Sequence, residues 1–189
     1  MTDAALVEQA CAGDAEAFGA LVDRHREAVF RAALAALRDR GEADDAAQDA
    51  FLVAYRKLRS FRGESSFRTW MLTIAWRTAL QRRRSWRRWV VRFAHDQRSP
   101  ADLAAITADG GPSPEAAASQ AEMAGHVQRL IAALPARLRD PLLLLATGDH
   151  GYEEMSSLLG VPVGTLKWRV SEARRQLKER LMTLGYTRD

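Results

Sequence analysis

The chain has 189 residues, of which 47% are hydrophobic and 28% are charged, and its formal net charge at pH 7 is +4. This apolar content excludes a wholly disordered chain and suffices for one medium domain or two small ones, while the modest positive charge permits nucleic-acid binding without requiring it. Cys11 is the only cysteine, which excludes an intramolecular disulfide, and no apolar run approaches the roughly 18 residues that indicate a membrane span.

The amino terminus, MTDAALVEQA, lacks the basic start and the apolar core of a secretory signal peptide. A single cysteine also suits a reducing compartment. We therefore expect a soluble cytoplasmic protein that is not inserted in a membrane.

Three helices are predicted in the first half. The first begins at Asp14, a favourable N-cap, and its apolar positions recur at helical spacing: Phe18, Leu21, Val22, His25, Val29, Ala33 and Leu37. After a break at 39–41, a second helix is marked by Ala46, Ala47, Ala50, Phe51, Ala54 and Leu58. The segment SFRGESS at 60–66 has turn composition, and the third helix begins after Ser66, with Phe67, Trp70, Met71, Ile74 and Thr78 on one side. Short connections between three helices predict a compact bundle.

The third helix leads into the most basic segment of the chain. Between Glu64 and Asp96 there is no acidic residue, and there are eight arginines: Arg68, Arg77, Arg82, Arg83, Arg84, Arg87, Arg88 and Arg92. Without these arginines the formal net charge of the chain would be negative, so the excess positive charge is concentrated in this one segment.

A linker is predicted at 95–113, where the apolar periodicity ends and prolines and glycines cluster. Helix resumes at Ser113-Pro114-Glu115, a cap followed by proline at the first helical position, with an inner face formed by Val127, Leu130, Ile131 and Leu134. Pro135 ends this helix, and another is predicted to begin at Pro141. No strand pattern appears, so the predicted fold class is all-α, with two small helical domains joined by a flexible linker.

The stretch from Tyr152 to Leu181, YEEMSSLLGVPVGTLKWRVSEARRQLKERL, predicts two helices joined by a tight turn at Gly160. One stripe of the second helix is apolar: Leu166, Val170, Ala173, Leu177, Leu181 and Leu184. The opposite face carries Lys167, Trp168, Ser171, Arg175 and Lys178. Such a pair buries one face and offers the other to the major groove, so the chain is predicted to bind DNA.

Taken in order, these pieces resemble the extracytoplasmic-function sigma factors, small members of the sigma-70 family of bacterial RNA polymerase. The matching stretches are GDAEAFGALVDRHREAVFRAAL, DDAAQDAFLVAYRKLRSF, FRTWMLTIAWRTALQRRR, LPARLRDPLLLL and VGTLKWRVSEARRQL. Two matching domains in sequence are more specific than a helix-turn-helix alone. The resemblance implies a domain at 1–94 that binds core polymerase and recognises and melts the −10 element, a linker at 95–113, and a −35-binding domain at 114–189.

The resemblance also implies two protein partners, core RNA polymerase and an anti-sigma factor that masks the polymerase-binding surfaces. The helix from Asp44 to Leu58 corresponds to the segment that grips the clamp helices of the large polymerase subunit, with Asp45, Gln48 and Asp49 as candidate contacts. An acidic patch beside a basic bundle can recruit a partner of opposite charge. An ordinary solvated helix face is the alternative interpretation of these three side chains.

The turn at 60–66 and the following helix correspond to the part that opens the −10 element. Phe61, Arg62 and Ser65 are the candidates for reading a flipped base, whereas Phe67 and Trp70 are by spacing predicted to lie in the core. The candidate DNA contacts on the helix are Arg77, Arg82, Arg83 and Arg84. The tryptophans interleaved with the arginines are Trp70, Trp76, Trp86 and Trp89. Stacking on such side chains is worth about 1–3 kcal/mol per base, so melting would need no nucleotide hydrolysis.

The start of the second helix of the helix-turn-helix corresponds to the −35-binding part. The implied contacts are Val163, Gly164, Thr165, Lys167, Trp168, Arg169, Ser171, Glu172 and Arg175. Backbone N–H groups and the helix dipole at this end favour a phosphate. Packing on the first helix of the motif is the alternative for Trp168.

Four residues in the DNA-binding segments depart from the pattern that is common in the family, and two smaller departures, Ser156 and Gly151, concern stability alone. The four departures in the DNA-binding segments are Arg77 in place of asparagine, Gln81 in place of aspartate, Trp168 in place of serine and Glu172 in place of arginine. The promoter sequences of better-known relatives therefore do not transfer to this chain.

Other functions have weaker support in the sequence. The four histidines, His25, His95, His126 and His150, form no zinc-like pair, and no phosphate loop or nucleophile motif is present, so no enzymatic activity, metal or cofactor is expected. His25, on an apolar face, is predicted to be a core or boundary residue. The main rival function is a helix-turn-helix regulator that acts without entering polymerase. A protein-binding helical adaptor and a basic membrane-surface helix at 77–92 are further alternatives.

Overall fold

A computed structural model describes residues 1–93, 114–148 and 150–186, with side chains at 1–84, 123–148 and 150–186. These residues contain one 3₁₀ turn, no strand and eight α-helices: α1 (Asp3–Cys11), α2 (Ala15–Leu37), α3 (Arg40–Lys57), α4 (Phe67–Phe93), α5 (Pro114–Ala133), α6 (Ala136–Ala146), α7 (Tyr152–Leu159) and α8 (Val163–Thr183). The predicted all-α class is confirmed. The predicted linker at 95–113 lies outside the described residues. Within the described part of the chain, none of the helices is long and apolar enough to cross a bilayer.

The three predicted helices of the first half are present as α2, α3 and α4. Asp14 caps α2 as predicted, because its side chain accepts hydrogen bonds from the N–H groups of Glu16 and Ala17. The predicted break at 39–41 is too long: Asp39 caps α3, and the helix already begins at Arg40. The chain turns at Arg38, the one non-glycine residue with a positive φ (62°) among those described.

A further helix, α1, was not predicted from the sequence. It buries Leu6, Val7 and Ala10 against α2. Polar bonds add to this contact, since Asp3 lies 2.8 Å from the buried His25 ring nitrogen and accepts a hydrogen bond from Arg24. His25 is 5% exposed, which confirms the prediction of a core or boundary histidine.

Helix α6 begins five residues before the predicted start at Pro141. The carbonyl of Pro135 accepts bonds from the N–H groups of Leu138 and Arg139, so Pro135 caps this helix, and Pro141 lies inside it. An interior proline removes one helical hydrogen bond. Burial of Leu138 and of Leu144 favours the helix nonetheless.

The helix-turn-helix is formed by α7 and α8 as predicted. Gly160 takes the left-handed conformation (φ 65°) that ends α7, and its N–H donates to the carbonyl of Ser156. On α8 the first three residues of the predicted apolar stripe, Leu166, Val170 and Ala173, are buried. Leu184 is 51% exposed, so its place in the stripe is wrong, because α8 ends at Thr183.

The two halves of the chain share one apolar core. Leu143 and Leu144 of α6, Met155 and Leu158 of α7, and Leu166 of α8 belong to the same cluster as the buried residues of α1 to α4. Among the residues with described side chains, the separate cluster of the second half has three buried members: Leu134, Leu138 and Ala173. The second half therefore depends on the first for much of its apolar burial.

Candidate DNA-binding and partner-binding surfaces

The outward face of α8 presents cationic and aromatic side chains to solvent. Its predicted DNA contacts divide into exposed residues, namely Gly164, Thr165, Lys167, Trp168, Ser171 and Arg175, and half-buried ones, namely Val163, Arg169 and Glu172. Trp168 is 59% exposed, so most of its indole faces solvent rather than α7. The burial of Leu166 and Val170 on the opposite side fixes the orientation of this face.

The beginning of α8 has the features of an anion-binding end. Pro162 precedes the helix and no side chain caps it, so the N–H groups of the first turn are available to an external acceptor. The ammonium of Lys167 lies 5.7 Å from the ring centroid of Tyr152, in cation–π range, which places this positive charge beside the same end.

Glu172 and Arg175, both predicted to contact DNA, are bonded to each other. The Glu172 carboxylate accepts from Nε of Arg175 at 2.9 Å and from Nη2 at 2.7 Å, and from Nε2 of Gln176 at 2.7 Å. Arg175 also donates to Glu179 at 2.6 Å. The hydrogen bonds from Arg175, followed by that from Gln176, lower the pKa of Glu172 to about 2, and the bond to Glu172 raises the pKa of Arg175.

The turn before α4 lines an open, solvent-facing pocket of about 300 Å³, at the lower end of the range for small-molecule sites. Its lining residues are Ser60, Phe61, Arg62, Glu64, Ser65 and Trp70. All three predicted base-reading residues therefore meet at one pocket. The Phe61 ring packs 5.2 Å from the ring of Trp70 and 5.9 Å from that of Phe67, centroid to centroid, and forms an aromatic wall.

The predicted core positions at the start of α4 differ in their burial. Phe67 is 3% exposed, in agreement with the prediction. Trp70 is only half-buried and lines the pocket, so it contributes to the pocket as well as to the core. Trp76, predicted as part of a stacking surface, is 1% exposed, and that prediction is wrong because α4 packs against α2, α3 and α7 together. The side chains of Trp86 and Trp89 lie outside the described residues.

The four predicted DNA-contacting arginines of α4 fall into two groups. Arg77 and Arg84 are exposed. Arg82 donates to Asp49 at 2.7 Å, and this bond, with the charges of the neighbouring acids, raises its pKa. Arg83 donates to both carboxylate oxygens of Asp140 in α6, at 3.2–3.3 Å and 3.0 Å.

The predicted polymerase-binding residues lie on one face of α3. Asp45 and Asp49 both flank Arg82, at 3.5 Å and 2.7 Å, and Gln48 is exposed beside them. This proximity gives α3 a mixed acidic and basic surface. It also means that Asp45 and Asp49 are partly neutralised by an arginine assigned to DNA.

Two exposed apolar side chains on α3 were missed by sequence reasoning. Leu52 is 56% exposed and Tyr55 is 52% exposed. The sequence could have indicated them, because these two apolar residues are three positions apart and lie outside the stripe of α3 that is predicted to be buried. A neighbouring groove of about 830 Å³ runs between α2 and α3, with Phe30, Gln48 and Phe51 among its lining residues.

Comparison with protein families and with characterised proteins finds similarity along nearly the whole chain. The family Sigma-70 region 2 matches residues 21–90, and the family Sigma-70, region 4 matches residues 125–177. The chain is 35% identical to the ECF RNA polymerase sigma-E factor of Escherichia coli over 97% of its own length and 96% of that protein. It is 33% identical to the RNA polymerase sigma-H factor of Pseudomonas aeruginosa over 96% and 95%.

Two solved structures share the fold. CnrH, in complex with the cytosolic domain of CnrY, aligns with a TM-score of 0.65 and 24% identity over 97% of this chain and 99% of that one. The sigma factor RpoE from Bartonella quintana, in complex with the anti-sigma factor NepR, aligns with a TM-score of 0.66 and 22% identity over 90% and 98%.

The carboxylate of Glu172 should titrate near pH 2 in the folded protein, because Arg175 and Gln176 bond to its charged form. Carbon-detected NMR of the side-chain carboxyl measures this pKa directly. In Arg175→Gln the pKa should rise toward its ordinary value of about 4.3, whereas Arg174→Gln, at an exposed neighbouring position, should leave it low. Since the native pKa is depressed, the pair stabilises α8 above the unfolded pKa, and this contribution disappears as the pH falls toward 2. A wild-type pKa near 4 would contradict the pairing.

Proposed function

Since the chain belongs to the extracytoplasmic-function (ECF) family of RNA polymerase sigma factors, we propose that its two halves divide promoter recognition between them. In this proposal residues 1–94 bind core polymerase and recognise and melt the −10 element. Residues 95–113 connect the halves, and residues 114–189 read the −35 element. The observation that carries the proposal is the pairing of a base-sized pocket on one half with an exposed recognition helix on the other. Two weak DNA-binding modules on one scaffold gain affinity through effective concentration.

Reading of the −35 element is assigned to the outward face of α8. The open N–H groups at Val163, Gly164 and Thr165 suit a phosphate, and Lys167 adds positive charge next to them. Trp168, Arg169 and Ser171 lie along the part of the face that would enter the groove. The Glu172 carboxylate is bonded to Arg175. It can accept from a cytosine amino group once Arg175 binds a DNA phosphate instead.

Melting of the −10 element is assigned to the pocket before α4. A base that leaves the stack needs an aromatic face and polar groups at its edge. Phe61 and Trp70 offer the face, and Arg62 and Ser65 offer the polar groups. Exposed Arg77 and Arg84 extend a cationic track along α4 for the phosphates of the separated strand. Arg82 and Arg83 join this track only after leaving their acidic partners.

Binding of core polymerase is assigned to the exposed face of α3. Asp45, Gln48 and Asp49 supply the polar contacts, and the exposed Leu52 and Tyr55 supply apolar area on the same helix. An interface that combines apolar anchors with a charged rim has the composition of a specific protein contact.

We expect an anti-sigma factor to compete for this region. RpoE, which has a similar fold, was solved with the anti-sigma factor NepR. The groove between α2 and α3 shares Gln48 with the proposed polymerase face, so a helix seated there would block polymerase. The factor acts in the cytoplasm, needs no cofactor or metal, and has no catalytic residues of its own in this proposal.

The rival function is that of a helix-turn-helix regulator acting without polymerase. Run-off transcription with purified core polymerase on a genomic library separates the two. The proposal predicts initiation at discrete sites that is absent without the protein. Intact binding to duplex DNA with no initiation at any site would favour the regulator. Sites found in this way supply the promoter for the following experiments.

Charge reversal on α3 should weaken polymerase binding. The double variant Asp45→Lys/Asp49→Lys should lower affinity for core polymerase roughly tenfold or more, because like charges replace complementary ones. The matched control, Glu8→Lys/Asp23→Lys, makes the same charge change at two exposed positions on α1 and α2. Fluorescence anisotropy with labelled protein measures both affinities. Equal losses of affinity in the two variants would show that net charge causes the effect, and would refute the assignment of polymerase binding to the α3 face.

Filling the pocket before α4 should block promoter opening without affecting assembly. Ser65 is an exposed lining residue, so Ser65→Trp can occupy the pocket, while Ser65→Ala keeps it open and measures the loss of the hydroxyl contact alone. In the tryptophan variant we expect about a tenfold loss of opening, since one base loses about 1–3 kcal/mol of stacking. Fluorescence of 2-aminopurine in the −10 element reports opening, and core binding should stay unchanged. Normal opening by Ser65→Trp would exclude the pocket.

A further inference from the structure

The indole of Trp168 is a prominent apolar group on the outward face of α8. It is 59% exposed, and its direction is fixed because Leu166 and Val170 are buried on the opposite side of the helix. Its neighbours on the same face are small, since Gly164 lies one turn before it and Ser171 three residues after it. A Cβ atom at Gly164 would meet no side chain of the described residues within 4 Å. The indole therefore projects beyond its neighbours into open space.

The cation at the centre of this face is already balanced by acids. Arg175 lies two turns after Trp168, and it donates to Glu172 at 2.7 Å and to Glu179 at 2.6 Å. The two carboxylates outnumber the one guanidinium, so this part of the face carries no excess positive charge before DNA binds. Charge alone therefore does not account for what the centre of the face recognises. The indole and the Glu172 carboxylate are the groups there that can distinguish bases.

The carboxylate of Glu172 can only accept hydrogen bonds at neutral pH. The bonds from Arg175, followed by that from Gln176, hold its pKa at about 2, so the group is ionised. In the major groove an acidic side chain accepts from the N4 amino group of cytosine. Guanine and adenine both place the N7 acceptor at this edge, which repels a carboxylate. Glu172 therefore favours cytosine at the base that it faces.

The indole of Trp168 distinguishes bases by a different property. Thymine is the one base that carries a methyl group in the major groove. An indole pressed against a polar base edge displaces water without replacing its hydrogen bonds, which costs free energy. Contact with the methyl group instead buries apolar surface of both partners. Trp168 therefore favours thymine.

The spacing of Trp168 and Glu172 predicts how far apart their bases lie. Four residues advance an α-helix by about 6 Å and rotate it by about 40° beyond a full turn, so both side chains point to the same side. Base pairs of B-form DNA are about 3.4 Å apart along the axis. A helix that lies along the major groove therefore brings the two side chains to bases about two base pairs apart.

We propose that Trp168 determines sequence specificity in the −35 contact by packing on the methyl group of a thymine, about two base pairs from a cytosine that Glu172 reads. This inference rests on the proposed role of α8 in reading the −35 element, and it adds the bases that α8 prefers. The ligand is a DNA duplex whose major groove presents a thymine methyl group and a cytosine amino group to the same side of one helix.

Selection from a pool of random duplexes measures the base preference. The full chain is used both alone and assembled with core polymerase, so the measurement does not depend on initiation. The unsubstituted chain should enrich a thymine and a cytosine about two base pairs apart. Trp168→Ala should lose the preference for thymine and keep that for cytosine. Glu172→Gln should exchange cytosine for adenine, because glutamine bonds the N6 and N7 atoms of adenine.

Replacement of the selected thymine by uracil removes the methyl group alone. Fluorescence anisotropy should show about fourfold weaker binding of the unsubstituted chain to the uracil duplex, which corresponds to about 0.8 kcal/mol for one buried carbon. Trp168→Ala should bind the two duplexes equally. Equal binding of the two duplexes by the unsubstituted chain would overturn the proposal, and this result needs no variant to be folded.

Two matched controls separate base reading from general effects. Met182→Ala removes a side chain that is 51% exposed near the other end of α8, and it should keep both base preferences. Glu179→Gln removes the same charge as Glu172→Gln from another partner of Arg175, and it should keep the cytosine preference. Circular dichroism verifies that each variant is folded. Weaker binding of Trp168→Ala to core polymerase, with its thymine preference intact, would assign the indole to polymerase and refute its role in base reading.

Run-off transcription by the unsubstituted chain distinguishes a failure of this inference from a failure of the proposed function. Initiation, together with equal binding of the thymine and uracil duplexes, rejects the role of Trp168 alone. A thymine preference that depends on Trp168, with no initiation at any site, supports base reading by α8 and rejects the assignment to promoters.

Discussion

The two halves of this sigma factor meet around the Glu154 carboxylate, which fixes the position of the helix-turn-helix against the start of α4. Glu154 bonds Arg68 and Thr69 of α4 while it belongs to the first turn of α7. A carboxylate that is mostly buried loses its water and needs such partners. The apolar cluster shared by α1 to α4 and α6 to α8 supplies attraction between the halves. The ion pairs supply the orientation, and they are the part that a competing charge can displace.

Several arginines that are proposed to bind DNA form ion pairs within the chain when no DNA is bound. Arg82 lies among the acids of α3, Arg83 is held by Asp140, and Arg175 is held by Glu172. Exposed pairs such as that of Arg175 contribute little free energy, so a DNA phosphate can replace the carboxylate at small cost. The pair between Arg83 and Asp140 is more buried and links two helices of different halves. Replacement of Asp140 by a DNA phosphate as the partner of Arg83 therefore disturbs the contact between α4 and α6, not one side chain alone.

Amphipathic periodicity predicted α2, α3, α4 and α8 and their order, since each buries a stripe that can be read from spacing. Local turn chemistry also placed Gly160 and the pocket-forming turn at 60–66. Sequence reasoning failed where contacts are distant in the chain. Trp76 is buried because three helices surround α4, and Pro141 is tolerated because α6 gains burial from both halves. The pairing of Glu154 with α4 joins residues 85 and 86 positions apart, which no local pattern encodes.

The central claim is that the two halves of one chain divide promoter recognition between them. Protection of promoter DNA from hydroxyl radicals should therefore be measured in an initiation complex of the factor with core polymerase. The account predicts that the −10 and the −35 elements are both protected in the same complex. Protection of only one of the two elements in a complex that transcribes would contradict it.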